Sequence, residues 1–271
     1  MQPGKRPCEL ALGIDPDAGG SLKDFADCLA RHEALLESPR ARAGVRWLKP
    51  NLAFFLRYGS GGIALLEGFV RRQSPHYALL LDAKFSEIEN SLRGSLAFAF
   101  ETLGVQGVTL NPFLGERSVR LALEACASSA GAHGRVYVLC RTSEASEGSL
   151  ATLQSDWKGI VSCVAAETKR LALVDPPLAS IGGVVVGAGR QDVLLSPELL
   201  RSGLSVLAPG LGAQGASAGI IDACARAGLR EVLFPMSRSI FAGGVIETNQ
   251  TSNALARLDT ALSTFSQGDS S

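Results

Sequence analysis

An acid and a base stand two residues apart where an apolar run ends, in the segment LLLDAKFSEIENS (79–91). Side chains at positions i and i+2 of an extended strand share one face, so Asp82 and Lys84 are predicted to point the same way. Lys49 and Asp15 end two other apolar runs. If the four charges converge, each keeps its neighbour ionised, and the array suits the stabilisation of charge during a reaction. The alternative is an ion-pair network that only closes one end of the fold.

Short apolar segments alternate with segments of helical periodicity along the chain. The apolar segments predict strands at 9–15, 45–50, 77–84, 107–112, 135–140, 182–189, 204–210 and 231–237. The periodicity predicts helices at 21–37, 60–72, 86–103, 116–129, 155–172, 195–201, 216–227 and 250–264. Such alternation predicts an α/β protein with one (β/α)₈ TIM barrel domain over residues 1–271, ending in a disordered tail at 266–271. A doubly wound open sheet is the alternative.

The residues that follow the predicted strands are mostly polar, and a barrel of this kind has its active site at the carboxyl ends of its strands. These strand exits carry Asp15, Lys49 with Asn51, Asp82 with Lys84, Asn111, Thr142 with Ser143, and Ser237 with Arg238. The three histidines, His32, His76 and His133, all fall in predicted helices or loops. We therefore do not expect a histidine to act as the acid or the base.

A glycine-rich turn, PGLGAQGASAG (209–219), leads into a predicted helix. The backbone N–H groups of such a turn and of a helix N-terminus suit a phosphate group. Arg238 stands at the next strand exit, and its guanidinium can donate two parallel hydrogen bonds to a phosphate. Phosphate sites after the seventh and eighth strands are common in this fold, so we predict one here.

The composition excludes several classes of partner. Lys plus Arg and Asp plus Glu both number 26, so a net charge near zero gives no electrostatic case for nucleic acid or an anionic membrane. The six cysteines are scattered without a Cys-x-x-Cys pair or a Cys/His cluster, which argues against a metal site and against disulfides. With no signal-like N-terminus and no membrane-length apolar run, the chain is predicted to be cytoplasmic.

Seven segments resemble, in order, the longer bacterial-type branch of the orotidine 5′-phosphate decarboxylase family. They are LGIDPD (12–17), KPNLAFFLRYGSGGIALLE (49–67), LDAKFSEI (81–88), VTLNPFLG (108–115), VLCRTS (138–143), APGLGAQG (208–215) and SRSI (237–240). The resemblance implies a homodimer with shared active sites and no metal or cofactor. It also implies decarboxylation of orotidine 5′-monophosphate to uridine 5′-monophosphate, the last step of de novo pyrimidine nucleotide synthesis.

The resemblance implies a role for each matching residue. Lys49 and Lys84 would flank Asp82, Lys84 would protonate C6 of the pyrimidine, and Glu87 would reach the active site of the partner subunit. The implied substrate-binding residues are Asp15 and Ser91 for the ribose, Thr142 and Ser143 for the pyrimidine, Gln214, Gly215 and Arg238 for the phosphate, and Asn51 and Pro209 within the matching motifs.

Several residues differ from the family pattern around this site. Glu87 stands where the family has Asp, and Phe85-Ser86 replaces the usual Arg-Gly. Leu56, Glu144 and Ser237 stand where Glu, Asn and Gly are usual. The extra methylene of Glu87 would displace its carboxylate by about 1 Å, and a displacement of that size can cost on the order of 100-fold in rate.

Three other functions remain open at this stage. One is another phosphosugar enzyme or decarboxylase of the same suprafamily, which would need Mg²⁺ and an acid where this chain has Lys49. A second is a Schiff-base aldolase that uses Lys49 or Lys84, and borohydride would trap its substrate adduct. The third is a slow or non-catalytic barrel that binds nucleotide phosphates and leaves orotidine monophosphate unchanged.

Overall fold

Eight parallel strands close into one barrel in chain order in the computed structural model, which describes residues 7–16, 19–142, 156–175, 177–178, 181–211, 216–229, 231–241 and 251–266. The strands are β1 (Cys8–Ile14), β2 (Trp47–Pro50), β3 (Ala78–Phe85), β4 (Gly107–Leu110), β5 (Arg135–Arg141), β6 (Gly182–Val186), β7 (Ser205–Leu207) and β8 (Val232–Met236). Pairing of β8 with β1 completes the barrel. The predicted (β/α)₈ barrel is confirmed, and the open-sheet alternative is wrong.

Helices follow the strands around the outside of the barrel. Those in the described ranges are α1 (Leu22–Leu36), α2 (Pro39–Gly44), α3 (Leu52–Leu56), α4 (Gly59–Gln73), α5 (Glu89–Ala97), α6 (Glu116–Ala130), α7 (Trp157–Val174), α8 (Gln191–Leu194), α9 (Pro197–Ser202), α10 (Gly219–Arg226), α11 (Arg238–Phe241) and α12 (Thr251–Ser266). A π-helical turn (Phe98–Leu103) extends α5, and 3₁₀ turns cover Pro112–Leu114 and Gly131–His133.

Every predicted helix is present, but the short helices α2, α3, α8 and α11 were not predicted. These four helices have only four to six residues, so an apolar pattern has little room to repeat within them. α12 continues to Ser266, the first residue of the predicted disordered tail, and the rest of that tail lies outside the described residues.

The barrel interior is filled by a layer of large side chains from different strands. Trp47, Leu80, Tyr137 and Leu233 belong to this layer and are almost completely buried. Gly183 makes room for it, because a Cβ at this position would lie 2.7 Å from two ring atoms of Tyr137. The interior is therefore a packed core that supports the strand ends, as is usual in this fold.

A buried ion pair joins Arg135, where β5 begins, to Glu231, just before β8. The guanidinium donates hydrogen bonds of 3.0 and 2.9 Å to the two carboxylate oxygens. Losing one partner of such a pair costs about 3–5 kcal/mol, because the other charge stays buried. A structural ion pair thus exists at the amino-terminal end of the strands, opposite the predicted active site.

The cysteines behave as small buried residues. All six are free thiols, five of them are buried, and burial raises the pKa of Cys126 and Cys140 to about 12. Within the described ranges, no group of three or more His, Cys, Asp or Glu side chains is arranged to hold a metal ion. No helix in those ranges combines the length and the apolar character needed to cross a bilayer.

Candidate active site

A cleft of about 200 Å³ opens at the carboxyl ends of β1, β2, β3, β7 and β8. Its lining includes six of the residues predicted for the site: Asp15, Lys49, Asn51, Asp82, Pro209 and Arg238. None of the three histidines lines it. A larger cavity of about 520 Å³ at the amino-terminal end of the barrel contains none of the predicted residues. The chemistry-bearing side chains therefore meet where the fold places an active site.

Two lysines form ion pairs with the carboxylate of Asp82, each with a different oxygen atom. Nζ of Lys49 lies 2.6 Å from Oδ2, and Nζ of Lys84 lies 2.7 Å from Oδ1. The side chains of Lys49 and Asp82 are 10% and 11% exposed, whereas that of Lys84 is 50% exposed. Lys49 and Asp82 line the cleft, and Lys84 is the most solvent-exposed member of the array.

Neighbouring charges hold Asp82 and Lys49 ionised despite their burial. Burial alone would raise the pKa of Asp82, but the ammonium groups of Lys49 and Lys84 outweigh it and hold this pKa well below its usual range. Burial alone would lower the pKa of Lys49, and the carboxylates of Asp82 and Asp15 outweigh it and raise this pKa. The site therefore presents fixed charges at neutral pH before any ligand binds.

The backbone of Lys84 is unusual. Its φ is 49°, a left-handed conformation that no other non-glycine residue in the described ranges adopts. The pairing of β3 with β4 shifts register between Leu81 and Phe85, so the strand is irregular where it carries this lysine. A side chain with a Cβ rarely adopts this conformation, and such conformations persist where surrounding contacts fix them, often at functional sites.

The hydroxyl of Thr109 bridges the two halves of this irregular strand. It accepts a hydrogen bond of 2.8 Å from the backbone N–H of Lys84 and donates one of 3.0 Å to Oδ1 of Asp82. Thr109 lies on β4 and is buried. It was not among the predicted site residues, although it is the one polar side chain in the strand GVTL.

Asp15 and Asn51 lie on either side of the array. Oδ1 of Asp15 is buried without a hydrogen-bond partner among the described residues. Oδ1 of Asn51 accepts a 3.3 Å hydrogen bond from the N–H of Ala53, so this side chain also caps α3. Asp15 is therefore the more available of the two for a hydroxyl group of a ligand.

The remaining predicted residues lie around the cleft or outside the described ranges. Arg238 is exposed at the start of α11, and Thr142 lines a second cavity of about 400 Å³ between the ends of β4 and β5. Glu87 and Ser91 are exposed, and the Glu87 carboxylate forms no hydrogen bond or ion pair with another described residue. Ser143, Gln214 and Gly215 lie outside the described residues.

A model of the orotidine 5′-phosphate decarboxylase / HUMPS family matches residues 12–240, which include β1 to β8 except for the first residues of β1.

The chain belongs to this family.

Curated decarboxylases agree with this membership and with the resemblance to the bacterial-type branch. The orotidine 5′-phosphate decarboxylase of Thermomicrobium roseum is 32% identical over 263 residues, covering 92% of this chain and 87% of the relative. The enzyme of Salinispora tropica is 33% identical over 246 residues, covering 87% of this chain and 85% of the relative.

A solved structure supports the same fold for the orotidine 5′-phosphate decarboxylase family and this chain. The crystal structure of a putative orotidine 5′-phosphate decarboxylase from Streptomyces avermitilis superimposes with a TM-score of 0.78 at 24% identity. It covers 98% of this chain and 92% of that protein. Because its sequence is distant, this likeness concerns the barrel alone.

Proposed function

We propose that this chain decarboxylates orotidine 5′-monophosphate to uridine 5′-monophosphate and CO₂, without a metal ion or a cofactor. The observation that carries the proposal is the array of Lys49, Asp82 and Lys84 at the ends of two neighbouring strands. Membership of the orotidine 5′-phosphate decarboxylase family supports it.

The reaction breaks the bond between C6 of the pyrimidine and its carboxylate carbon. CO₂ leaves, and the electron pair of that bond stays on C6 in the plane of the ring, where the π-system cannot delocalise it. The ammonium of Lys84 stabilises this charge and then gives C6 a proton. Lys84 recovers a proton from water, which its half-exposed side chain can reach.

Asp82 and Lys49 hold this proton donor in place. The ionised carboxylate of Asp82 fixes Nζ of Lys84 at 2.7 Å, and buried Lys49 balances the charge of that carboxylate. Because these charges are fixed before the substrate arrives, little reorganisation is needed during the reaction.

The 5′-phosphate and the ribose bind on the other side of the cleft. Arg238 would hold the phosphate, together with Gln214 and Gly215 of the glycine-rich turn. Asp15 and Ser91 would hold the ribose, Thr142 and Ser143 the pyrimidine, and Asn51 and Pro209 would complete the lining. Binding energy gained at the phosphate would be used to lower the barrier at the distant C6 atom.

We propose that the enzyme is a homodimer with shared active sites. Apolar side chains stand exposed after β2, β3 and β4, among them Ile88 at 68% and Phe113 at 73% exposure. Exposed apolar side chains grouped at one rim are typical of an interface. Glu87 precedes Ile88, and its carboxylate would enter the active site of the partner subunit.

Mixing two inactive variants tests whether the site is shared. Lys84→Ala and Glu87→Ala should each be impaired, whereas a mixed dimer of the two holds one intact site. Random exchange makes half of the dimers mixed, so we expect about one quarter of the wild-type rate to return. Lys84→Ala mixed with Asp82→Ala is the matched control. Each chain supplies both Lys84 and Asp82 to one active site, so every site of the mixed dimer carries a lesion and no activity should return. Failure of the first mixture to recover would contradict a shared site.

We place the enzyme in the cytoplasm, because six free thiols fit a reducing compartment.

The direct test of function follows the absorbance loss as orotidine 5′-monophosphate becomes uridine 5′-monophosphate, with EDTA present. Turnover that is unaffected by the chelator is expected. Turnover that needs added Mg²⁺ would indicate a metal-dependent suprafamily enzyme instead. Binding of uridine monophosphate without any turnover would indicate a non-catalytic barrel, and a borohydride-trapped adduct would indicate an aldolase.

A further inference from the structure

We propose that Thr109 is a positioning residue that holds Lys84 in the geometry needed to deliver its proton. The inference rests on the proposed function and extends it to a side chain that donates no proton to the substrate. It comes from the closed set of hydrogen bonds that Thr109, Asp82 and Lys84 form.

The three residues form one ring of hydrogen bonds. The backbone N–H of Lys84 donates to Oγ1 of Thr109, Oγ1 donates to Oδ1 of Asp82, and Oδ1 accepts from Nζ of Lys84. A hydroxyl has one proton, and this proton is used for Asp82. Its lone pairs must therefore face the N–H of Lys84, so both contacts depend on the same oxygen atom.

The ring explains how Lys84 keeps its left-handed backbone. Where β3 and β4 shift register, the N–H of Lys84 bonds to a side chain of β4, and regular pairing resumes with Phe85 opposite Leu110. The Thr109 hydroxyl supplies the acceptor that this N–H needs in a part-buried position. Without the Thr109 hydroxyl, the hydrogen bond that holds the Lys84 backbone at a φ of 49° is lost, and the strand is free to straighten.

Straightening of the strand would move the proton donor. Lys84 lies two residues beyond Asp82, and a change in its φ swings its whole side chain relative to the carboxylate. Asp82 would also lose one of its three hydrogen-bond donors. The effect should fall on the chemical step, because the side-chain hydrogen bonds of Thr109 join Lys84 and Asp82.

Thr109→Val tests the proposal because valine keeps the shape of threonine and removes the hydroxyl. We expect kcat to fall by about 10–100-fold, since displacements near 1 Å have effects of this size. The Kd for uridine monophosphate should stay within about threefold of wild type, and Thr109→Ser, which restores the hydroxyl, should recover most of kcat. The matched control is Thr168→Val, a buried threonine on α7 whose hydroxyl donates to the carbonyl of Val164.

A purely structural role would give a different result. Thr168→Val should lower Tm and leave kcat per folded site unchanged. If Thr109→Val does the same, the proposal is overturned. A higher KM for Thr109→Val with an unchanged kcat would overturn the proposal as well, because the proton donor would then be correctly placed.

A crystal structure of Thr109→Val provides a readout that does not depend on turnover. We expect the φ of Lys84 to leave the left-handed region or Nζ to move away from Asp82. If both stay as in the wild type, the proposal fails whatever the enzyme's activity. If Lys84 moves but the wild type does not act on orotidine monophosphate, the positioning role stands and the proposed function fails.

Discussion

Replacing Lys84 by alanine is expected to lower kcat for orotidine 5′-monophosphate by about 10⁴-fold, the upper end of what a positioned general acid contributes. Its ammonium is the more solvent-exposed of the two in the array, since its side chain is half exposed while that of Lys49 is buried. The loss removes both the proton and the charge that stabilises the carbanion. The absorbance assay in single-turnover mode measures the effect, and the affinity for uridine monophosphate should change little by comparison.

Lys84→Arg separates the proton from the charge. Arginine keeps a positive charge but does not give up a proton at any pH used for the assay. We expect this variant to remain severely impaired. Lys158→Ala is the matched surface control, because the exposed Lys158 pairs with half-buried Glu198 and does not line the cleft, and its kcat should be that of the wild type. Substantial turnover by Lys84→Ala would show that the proton comes from elsewhere.

Asp82→Asn should produce the second large effect, on both rate and stability. Asparagine keeps the shape of the side chain but leaves buried Lys49 without its main counter-charge. Breaking a buried pair by removing one partner costs about 3–5 kcal/mol of unfolding free energy. Loss of a fixed electrostatic group should lower kcat by about 10²–10³-fold. Denaturant unfolding and the absorbance assay measure the two effects separately.

The pH dependence of unfolding provides a further check on the same variant. In the wild type, the pKa of Asp82 is lower in the folded state than its value of 3.8 in the unfolded chain. The contribution of Asp82 to the free energy of unfolding is therefore complete above pH 3.8 and is lost only as the pH falls through the folded-state pKa. In Asp82→Asn the main carboxylate that offsets the burial of Lys49 is lost, so we expect the pKa of Lys49 to fall below its unfolded value of 10.5 and stability to rise as pH increases toward that value. A pH-independent variant would show that Asp15 alone can balance Lys49.

The sequence by itself determined the barrel and the residue types at its mouth. Eight apolar segments alternate with helical periodicity, and these are local patterns that depend on neighbours within one or two turns. The exit positions of Asp15, Lys49 and Asp82 follow directly, because the carboxyl ends of all strands in a parallel barrel meet at one rim. The convergence of these charges could therefore be predicted before any distance was known.

Only the tertiary structure decided how the charges are held. The bond from the Lys84 backbone to Thr109 spans 25 residues, and the Arg135–Glu231 pair spans 96. Such contacts depend on which residues of two strands face each other, and no local pattern encodes that register. Lys84 adopts its left-handed φ within the register shift between Leu81 and Phe85, and regular alternation would not predict that conformation. Pairing between strands distant in sequence thus fixes the orientation of the proton donor, whereas local periodicity fixes only its place at the end of β3.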